Sequence, residues 1–226
     1  MIRDTGRKVG HIQLLAVEPG GRRRGIGSGL VRAFEGWAFA DGAEAVVVGA
    51  GAPFYLFAGV DVRATAALCL FESLGYAHEG AQLNLSFSSR FRAPAPPGVQ
   101  VRRVLEDGHA SQAVGFVERH WPAWIPEVRR GIDHGACHIA AADGRVVGFG
   151  CHSVNRLGWL GPIGTDPERR RCGVGRALLS ATAKDVMAAG IDTVEVSWAG
   201  SVGFFAKAAE ASVSRVFRSL AKRRPA

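Results

Sequence analysis

The chain contains one short pattern twice, as Val17-Glu-Pro-Gly-Gly-Arg-Arg-Arg-Gly-Ile-Gly-Ser-Gly-Leu30 and again as Thr165-Asp-Pro-Glu-Arg-Arg-Arg-Cys-Gly-Val-Gly-Arg-Ala-Leu178. Both copies share the core Arg-x-x-Gly-x-Gly, at 22–27 and at 170–175. Each copy follows an apolar stretch typical of a strand and opens a stretch typical of a helix. Because the core recurs in the same context, it is better interpreted as a repeated functional element than as an ordinary tight turn with solvated arginines.

The residues of this core suit a phosphorylated ligand. Its glycines allow a sharp turn that exposes consecutive N–H groups at a helix N-terminus, where the helix dipole also favours an anion. The preceding arginines add charge-assisted donors whose geometry fits phosphate oxygens. The sequence therefore predicts two loops that bind a diphosphate.

Composition and charge are compatible with this interpretation. The 226 residues are 47% hydrophobic and 21% charged, with a net charge of +8 and a pI near 10.0. Much of the positive charge lies at Arg22–Arg24, at Arg169–Arg171 and in the tail from Arg215 to Arg224. We interpret the last part of this tail as a solvated end: Lys222, Arg223 and Arg224. A small polyanion accounts for the first two clusters. Nucleic acid is not predicted as a partner, because the tail has only Phe217 among its basic residues.

The cysteines and the apolar stretches argue against a metal site and a membrane span. The four cysteines show neither a C-x-x-C spacing nor zinc-type pairing with histidine: Cys69, Cys137, Cys151 and Cys172. Their mostly apolar contexts predict buried, reduced thiols and a cytoplasmic protein. The N-terminus has no apolar run typical of a signal peptide, and the longest uncharged stretch, 45–60, is broken by Pro53.

A proline-rich segment at 91–98 predicts a linker between two modules, 1–90 and 99–226. Hydrophobic periodicity predicts strands at 11–17, 45–48, 76–78, 83–88, 99–104, 136–142, 146–152, 159–164, 194–197 and 212–217. It predicts helices at 28–40, 64–74, 174–189 and 202–209, with one or two more between 107 and 134. The first module begins only at the strand before its loop, so its opening strands are missing. We therefore expect it to dock on the second module or, in a homodimer, on a second chain.

The order strand, Arg-x-x-Gly-x-Gly, helix, strand, helix resembles the GCN5-related N-acetyltransferase (GNAT) superfamily. Both loops fit its acetyl-CoA diphosphate motif, including the hydrophobic residue between the glycines, Ile26 and Val174. The segments 70–76 and 198–207 are similar to the family's later Phe-Tyr-Glu-x-x-Gly-Phe segment. The resemblance implies an α/β fold with a mixed, mostly antiparallel sheet flanked by helices. It also implies two such modules in tandem, the first truncated at its N-terminus.

The resemblance implies that acetyl-CoA binds to the loop and to the strand before it. In the second module the implied residues are Ile163, Gly164, Thr165, Arg170, Arg171, Cys172, Gly173, Val174, Gly175 and Arg176. In the first module they are Ala16, Val17, Arg22, Arg23, Arg24, Gly25, Ile26 and Gly27. The second module is expected to be the working one, because it alone has the elements that build an amine pocket.

The implied reaction is transfer of an acetyl group to a primary amine of a small molecule or peptide. Four residues on or beside the relevant strands are candidates for the general base, although an edge carboxylate or a hydrogen-bonded histidine explains each equally well: Glu18, His138, His152 and Glu195. Phe71 and Phe205 stand where the family commonly has a tyrosine that protonates the leaving thiolate. A non-catalytic, regulatory acetyl-CoA-binding module is therefore the alternative.

Other phosphate-binding motifs fit less well, and the amine acceptor is not specified by the sequence. A dinucleotide fingerprint requires a third glycine where Leu30 and Leu178 stand, and no Gly-Lys-Ser/Thr of a P-loop occurs. Trp121 and Trp124 lie where the family places its substrate-covering helices. For these two side chains, lining of a pocket and simple packing are equally favoured.

Overall fold

The computed structural model describes residues 7–51 and 55–225. The chain forms two compact units: unit 1 consists of Met1–Leu83 and Arg215–Ala226, and unit 2 consists of Asn84–Ser214. The strands are β1 Val9–Ile12, β2 Ala45–Val48, β3 Val60–Asp61, β4 Ala77–Ser88, β5 Val99–Arg103, β6 Cys137–Ala142, β7 Arg145–His152, β8 Trp159–Thr165, β9 Thr193–Val196 and β10 Ser212–Arg223. The helices are α1 Ile26–Ala40, α2 Thr65–Ser73, α3 Asp107–His120, α4 Ile125–Asp133, α5 Val174–Ala188 and α6 Val202–Ala209.

Unit 2 is built on a mixed sheet in which only the β8–β9 pairing is parallel among its described strands. Its order is β4-β9-β8-β7-β6-β5, with β4 contributing residues from Asn84 onward. Successive side chains of a strand point to opposite faces of the sheet. Alternate residues of β6 and β7 therefore pack into two separate cores. Ile139 and Phe149 pack with residues of α3 and α4, whereas Ala140 and Val147 pack with residues of α5. Helices therefore cover both faces of this sheet.

Unit 1 has the strand order β1-β2-β10-β4, and β3 also pairs with β10. The β1–β2 pairing is parallel, and β10 runs antiparallel to β2 and β3. The main core of this unit includes Val31 of α1, Val46 of β2 and Phe71 of α2. Both units thus have the mixed, mostly antiparallel sheet flanked by helices that the resemblance implied.

The two units use β4 and β10 in a way that the predicted boundaries did not anticipate. In unit 2 the antiparallel neighbour of β9 is the end of β4, with Leu85 opposite Val196. In unit 1 the antiparallel neighbour of β2 is the end of β10, with Leu220 opposite Val48. The units therefore differ from the modules 1–90 and 99–226, because each half of the chain supplies a strand to the unit formed mainly by the other half.

The C-terminal tail and the predicted linker are ordered parts of these units. The strand predicted to end at Phe217 continues to Arg223, and Leu220 is fully buried. Arg223 and Arg224 are exposed, as expected of a solvated end, whereas Lys222 is partly buried and its Nζ donates to Oε2 of Glu35 over 2.9 Å. The proline-rich segment packs on α5 in unit 2, where the Ala93 N–H donates to Oγ of Ser180 over 3.0 Å. Hydrophobic periodicity did not reveal these contacts, because the partner segments are distant in sequence.

Two further predictions are corrected by the structure. The predicted strands at 76–78 and 83–88 are one continuous strand, β4. Cys137 and Cys151 are buried as predicted, but Cys69 and Cys172 are exposed, and all four thiols are free.

Within the described residues no helix is both long and apolar enough to cross a membrane.

Unit 1 leaves uncovered the helix face that unit 2 buries. Ile26 and Leu30 of α1 are 48% and 49% exposed, whereas Val174 and Leu178, which follow the second loop at the same positions, are 2% and 0% exposed. In unit 2 these two side chains pack with residues of β6 and β7. Among the described strands of unit 1, β1 has no neighbour on its outer edge. Among the described residues, no strand beyond β1 therefore covers this face of α1.

Asp61 ties β10 into unit 1 and should make the stability of this unit depend on pH. Its carboxylate accepts hydrogen bonds from Arg63 at 2.7 and 3.0 Å and from Nε of Arg215 at 3.0 Å. The hydrogen bonds from Arg63 hold the pKa of Asp61 well below its usual range, outweighing the opposing effect of burial. A carboxyl group with a lowered folded-state pKa stabilises the fold above its unfolded pKa of about 3.9 and loses that contribution at lower pH.

We therefore expect Asp61→Asn to lower the free energy of unfolding by about 1–2 kcal/mol at pH 7, since most of Arg63 is exposed and its ion pair is screened. The difference from wild type should shrink as the pH falls below about 4. Urea denaturation at pH 7, 4 and 3 measures it, with the exposed Asp133→Asn as the control. A difference that did not change with pH would contradict the role given to the ionised Asp61.

Candidate functional site

The two glycine loops have the same backbone conformation. Arg23 and Arg171, which lie 148 residues apart, both have a φ of 62° in the left-handed region. The glycines that follow two residues later, Gly25 and Gly173, have φ/ψ of 80°/−5° and 86°/−7°. A left-handed conformation favours glycine at these N-cap positions. The repeated sequence therefore gives a repeated structure.

Each loop presents free backbone N–H groups at the start of a long helix. The first amides of α5, from Val174 onward, have no intrahelical acceptor, and no side chain caps them at Gly173. The same holds for α1 after Gly25. At Gly175 a Cβ would lie 2.8 Å from Cζ of Phe204, so glycine is required there for close packing. These open amides, with the helix dipole behind them, suit an anion.

The arginines around the loops differ in whether their side chains already bind other groups of the protein. The side chains of Arg23, Arg170 and Arg171 are exposed and form no ion pair with any described residue, so they are available to a ligand. Nε of Arg22 donates to the Val17 carbonyl over 3.1 Å. Nε of Arg176 donates to a carbonyl of α6 over 3.2 Å.

Strands β8 and β9 separate just before the second loop. They pair at Trp159 with Glu195 and at Leu160 with Val196, and among the described strands they pair no further. Residues 163–165 of β8 keep pairing with β7 on their other edge. The strand segment that includes Ile163, Gly164 and Thr165 therefore has an open backbone edge that leads directly into the loop. We call this opening the split.

Unit 1 has only part of this arrangement. Its β1–β2 pairing ends at Ile12 with Val48, which corresponds to Leu160 with Val196 in unit 2. Residues 13–17, which include the predicted cofactor contacts Ala16 and Val17, belong to no strand. The prediction of a strand over 11–17 was therefore wrong beyond Ile12, because no strand among the described residues pairs with 13–17.

The carboxylate of Glu195 lies where the split begins. Its Oε1 accepts a hydrogen bond from Nδ2 of Asn84 over 2.7 Å, and its Oε2 accepts one from Nε1 of Trp159 over 3.0 Å. Asn84 is buried, and its Oδ1 accepts from the backbone N–H of Trp198. The contacts fix the orientation of this half-buried carboxylate. Asn84 and Trp159 escaped the sequence analysis because neither belongs to a recognisable motif.

The sequence model of the acetyltransferase (GNAT) family matches residues 1–76 and 100–209. The chain belongs to the acetyltransferase (GNAT) family. The match falls in two segments, each containing one of the two loops, which agrees with a tandem arrangement. No curated protein matches the chain.

Three solved structures share the fold at low sequence identity. A GCN5-related glucosamine N-acetyltransferase region of a fungal multi-domain GH3 β-N-acetylglucosaminidase has a TM-score of 0.76 at 18% identity, over 96% of this chain and 30% of that chain. A tandem GNAT protein from the clavulanic acid biosynthesis pathway has a TM-score of 0.72 at 17% identity, over 98% and 77%. A GCN5-related N-acetyltransferase from Sphaerobacter thermophilus has a TM-score of 0.67 at 21% identity, over 92% and 71%. The chain thus spans less than a third of the fungal protein.

The other three candidates for the general base are His138, His152 and Glu18. Their surroundings suit a general base less well than the surroundings of Glu195. Nε2 of both His138 and His152 faces Asp185 of α5, at 3.2 and 3.0 Å. Burial lowers the pKa of His138 to about 4 and also lowers the pKa of His152, which weakens both as bases. Glu18 is exposed and lies in unit 1, just before the first loop.

The aromatic residues singled out in the sequence lie in the packed cores. Phe71 and Phe205 are buried, at 2% and 5% exposure. Trp121 and Trp124 stack with ring centroids 5.4 Å apart and pack on the core that contains Phe149. These two tryptophans therefore have a packing role.

Gly164 shows how closely Trp121 lies against β8. A Cβ at this position would lie 2.6 Å from Cζ3 of Trp121 and 2.8 Å from Cε1 of Phe149. Glycine is therefore needed in the strand beside the split, and the indole ring of Trp121 closes the sheet face there.

Proposed function

We propose that this member of the GNAT family is an N-acetyltransferase that transfers the acetyl group of acetyl-CoA to a primary amine. The observation that supports this proposal is the continuity of the split with the second glycine loop. A diphosphate held by the loop directs the pantetheine arm of the same molecule along the open edge at residues 161–165. Unpaired N–H and C=O groups of a strand edge can hydrogen-bond the amides of such an arm.

We place the acetyl-CoA site in unit 2, within the proposed domain 99–226. Its loop follows a strand held on one edge by β7, and its helix α5 is anchored by the buried Val174 and Leu178. A rigid support positions reacting groups more accurately than an incomplete one. The equivalent residues Ile26 and Leu30 in unit 1 lack such an anchor.

Acetyl-CoA, when bound, supplies an acetyl group activated as a thioester. Backbone N–H groups of β8 beside the split can donate to an oxygen that gains negative charge, as in an oxyanion hole. Glu195 is the residue that we propose as general base, since its carboxylate is fixed where β8 and β9 separate. It accepts the proton that the acceptor amine must lose, directly or through one water.

The proposed reaction proceeds without a tyrosine acid. Phe205 and Phe71 are buried and carry no proton to donate. The thiol of free cysteine has a pKa of about 8.5, and a thiolate of this kind is a tolerable leaving group near neutral pH. The free, partly exposed cysteines also fit the reducing cytoplasm that we propose as the location of this protein.

A thiol-release assay tests the proposal. We expect the purified protein to bind acetyl-CoA in calorimetry and to release free thiol only when a suitable primary amine is present. The amine panel should contain amino sugars such as glucosamine, small diamines and short peptides with free N-termini, with the corresponding alcohols as controls. Binding of acetyl-CoA without thiol release for any amine would favour the non-catalytic binding module. Absence of acetyl-CoA binding would contradict both functions.

A further inference from the structure

We propose that His138, His152 and Asp185 of unit 2 form a binding site for a divalent metal ion of the zinc class. The side chains come from β6, β7 and α5, and one ligand atom of each lies within 4.8 Å of the others. Nε2 of His138 and Nε2 of His152 are 3.2 and 3.0 Å from Oδ2 of Asp185. Ligand atoms of a tetrahedral zinc ion are about 3.4 Å apart for bonds of about 2.0–2.1 Å. Small side-chain movements would therefore admit the ion.

The chemistry of these groups decides which ions fit. Two imidazole nitrogens and one carboxylate oxygen are borderline ligands that suit Zn²⁺ and Co²⁺ better than Mg²⁺ or Ca²⁺, which prefer oxygen alone. No other histidine, cysteine, aspartate or glutamate among the described residues joins this group. A fourth position is thus left for water, as in zinc sites with three protein ligands.

Outer contacts orient two of the three ligands, His152 and Asp185. Nδ1 of His152 lies 3.1 Å from Oγ of Ser153, which also accepts the Gly158 N–H over 3.2 Å. When Nδ1–H donates to Ser153, the lone pair of Nε2 is directed at the site. Nη2 of Arg103 donates to Oδ1 of Asp185, which leaves Oδ2 facing the two rings. Such hydrogen bonds to the ligands typically accompany metal binding.

Burial separates this cluster from surface histidine–carboxylate pairs. His138 and His152 are 5% and 7% exposed, and their rings stack with centroids 6.0 Å apart. Nδ1 of His138 is buried and has no hydrogen-bond partner among the described residues. The polar contact of this ring is therefore made through Nε2, toward the same oxygen that His152 approaches. Convergence of two imidazoles on one carboxylate oxygen is the arrangement expected around a shared ion.

The site is separate from the proposed acetyl-transfer site. Asp185 lies eleven residues beyond Val174, near the other end of α5 from the loop, which corresponds to about 16 Å along the helix axis. A metal ion there would join the β6–β7 hairpin to α5. Its presence is therefore expected to stabilise the fold, and binding and stability measurements detect it.

Zinc titration of the full-length, EDTA-treated protein tests the proposal. We expect calorimetry to show one Zn²⁺ bound per chain and thermal unfolding to shift to higher temperature as zinc is added. Co²⁺ should give the visible absorption of a four-coordinate ion. Asp185→Asn and His152→Asn should each weaken zinc binding roughly 100-fold or more, and Ser153→Ala about 10–100-fold. The control His109→Asn, which removes a histidine paired with Glu106, should leave binding unchanged.

The outcome does not depend on any single variant folding. Should Asp185→Asn fail to fold, His152→Asn and Ser153→Ala carry the test, with circular dichroism as the check of structure. Absence of saturable zinc binding to the wild type would overturn the proposal. Zinc binding that is equally strong in every folded variant would overturn it too, and the three residues would then form only a hydrogen-bonded network.

Discussion

Replacing Arg170 and Arg171 by glutamate should weaken acetyl-CoA binding at least about 100-fold. Each hydrogen bond from an arginine to a charged oxygen contributes about 1.5–3 kcal/mol, and every 1.4 kcal/mol is a factor of ten in affinity. The double variant also places negative charge at the N-terminus of α5, where the helix dipole favours an anionic ligand. Both side chains are exposed and form no ion pair with a described residue, so the fold should be retained. Isothermal titration calorimetry with acetyl-CoA measures the loss.

The repeat supplies a matched control for this experiment. Arg22 and Arg23 occupy the same positions of the first loop, and Arg23 has the same φ as Arg171. The variant Arg22→Glu/Arg23→Glu should change the affinity by less than about threefold, apart from screened long-range effects. The reverse result, a loss confined to this variant, would move the cofactor site to unit 1. Unchanged affinity in both variants would remove the two loops as binding sites.

The loops could be predicted from the sequence because their structure is local. The turn at 170–175 depends on a left-handed Gly173 and on a helix that begins at Val174, and each is determined by neighbouring residues. The same applies to the β6–β7 hairpin, whose turn at Asp143-Gly144 was evident in the sequence. Loop conformation and helix starts were therefore accessible without any knowledge of tertiary contacts.

The pairing of strands could not be predicted from neighbouring residues in this way. The apolar pattern of β10 is compatible with pairing in either half of the chain, and only packing decides that Leu220 lies opposite Val48. The period of two along a strand shows which residues share a face but not which strand lies beside them. The assignment of the C-terminal strand to the second module failed for this reason.

In the candidate site, too, local features could be predicted from the sequence and contacts between distant residues could not. Glu195 was one of four base candidates because it lies on a predicted strand, whereas its partner Asn84 is 111 residues away in the sequence. His138 and His152 lie on adjacent strands of a predicted hairpin, so their proximity could have been inferred. Their common partner Asp185, on a helix 33 residues after His152, could not.

Replacing Glu195 by glutamine should lower kcat by about 10²- to 10⁴-fold once an acceptor amine is known, which is the usual loss on removing a general base. Glutamine has the same size, so the affinity for acetyl-CoA should remain. Its amide cannot accept hydrogen bonds at both ends, so one of the donors, Asn84 or Trp159, loses its acceptor. Thermal unfolding must therefore show that the variant is folded before its rate is interpreted.

The pH dependence distinguishes a base from a merely structural carboxylate. If Glu195 takes the amine proton, we expect kcat/KM of the wild type to decrease toward acid pH, and the midpoint of this decrease should change or disappear in Glu195→Gln. A carboxylate that only holds Asn84 and Trp159 in place would alter the rate by a constant factor at every pH. The control Glu118→Gln, at an exposed position of α3, should behave as wild type. An unchanged kcat in a folded Glu195→Gln would exclude this residue as the base and leave the amine proton to water or to the acceptor itself.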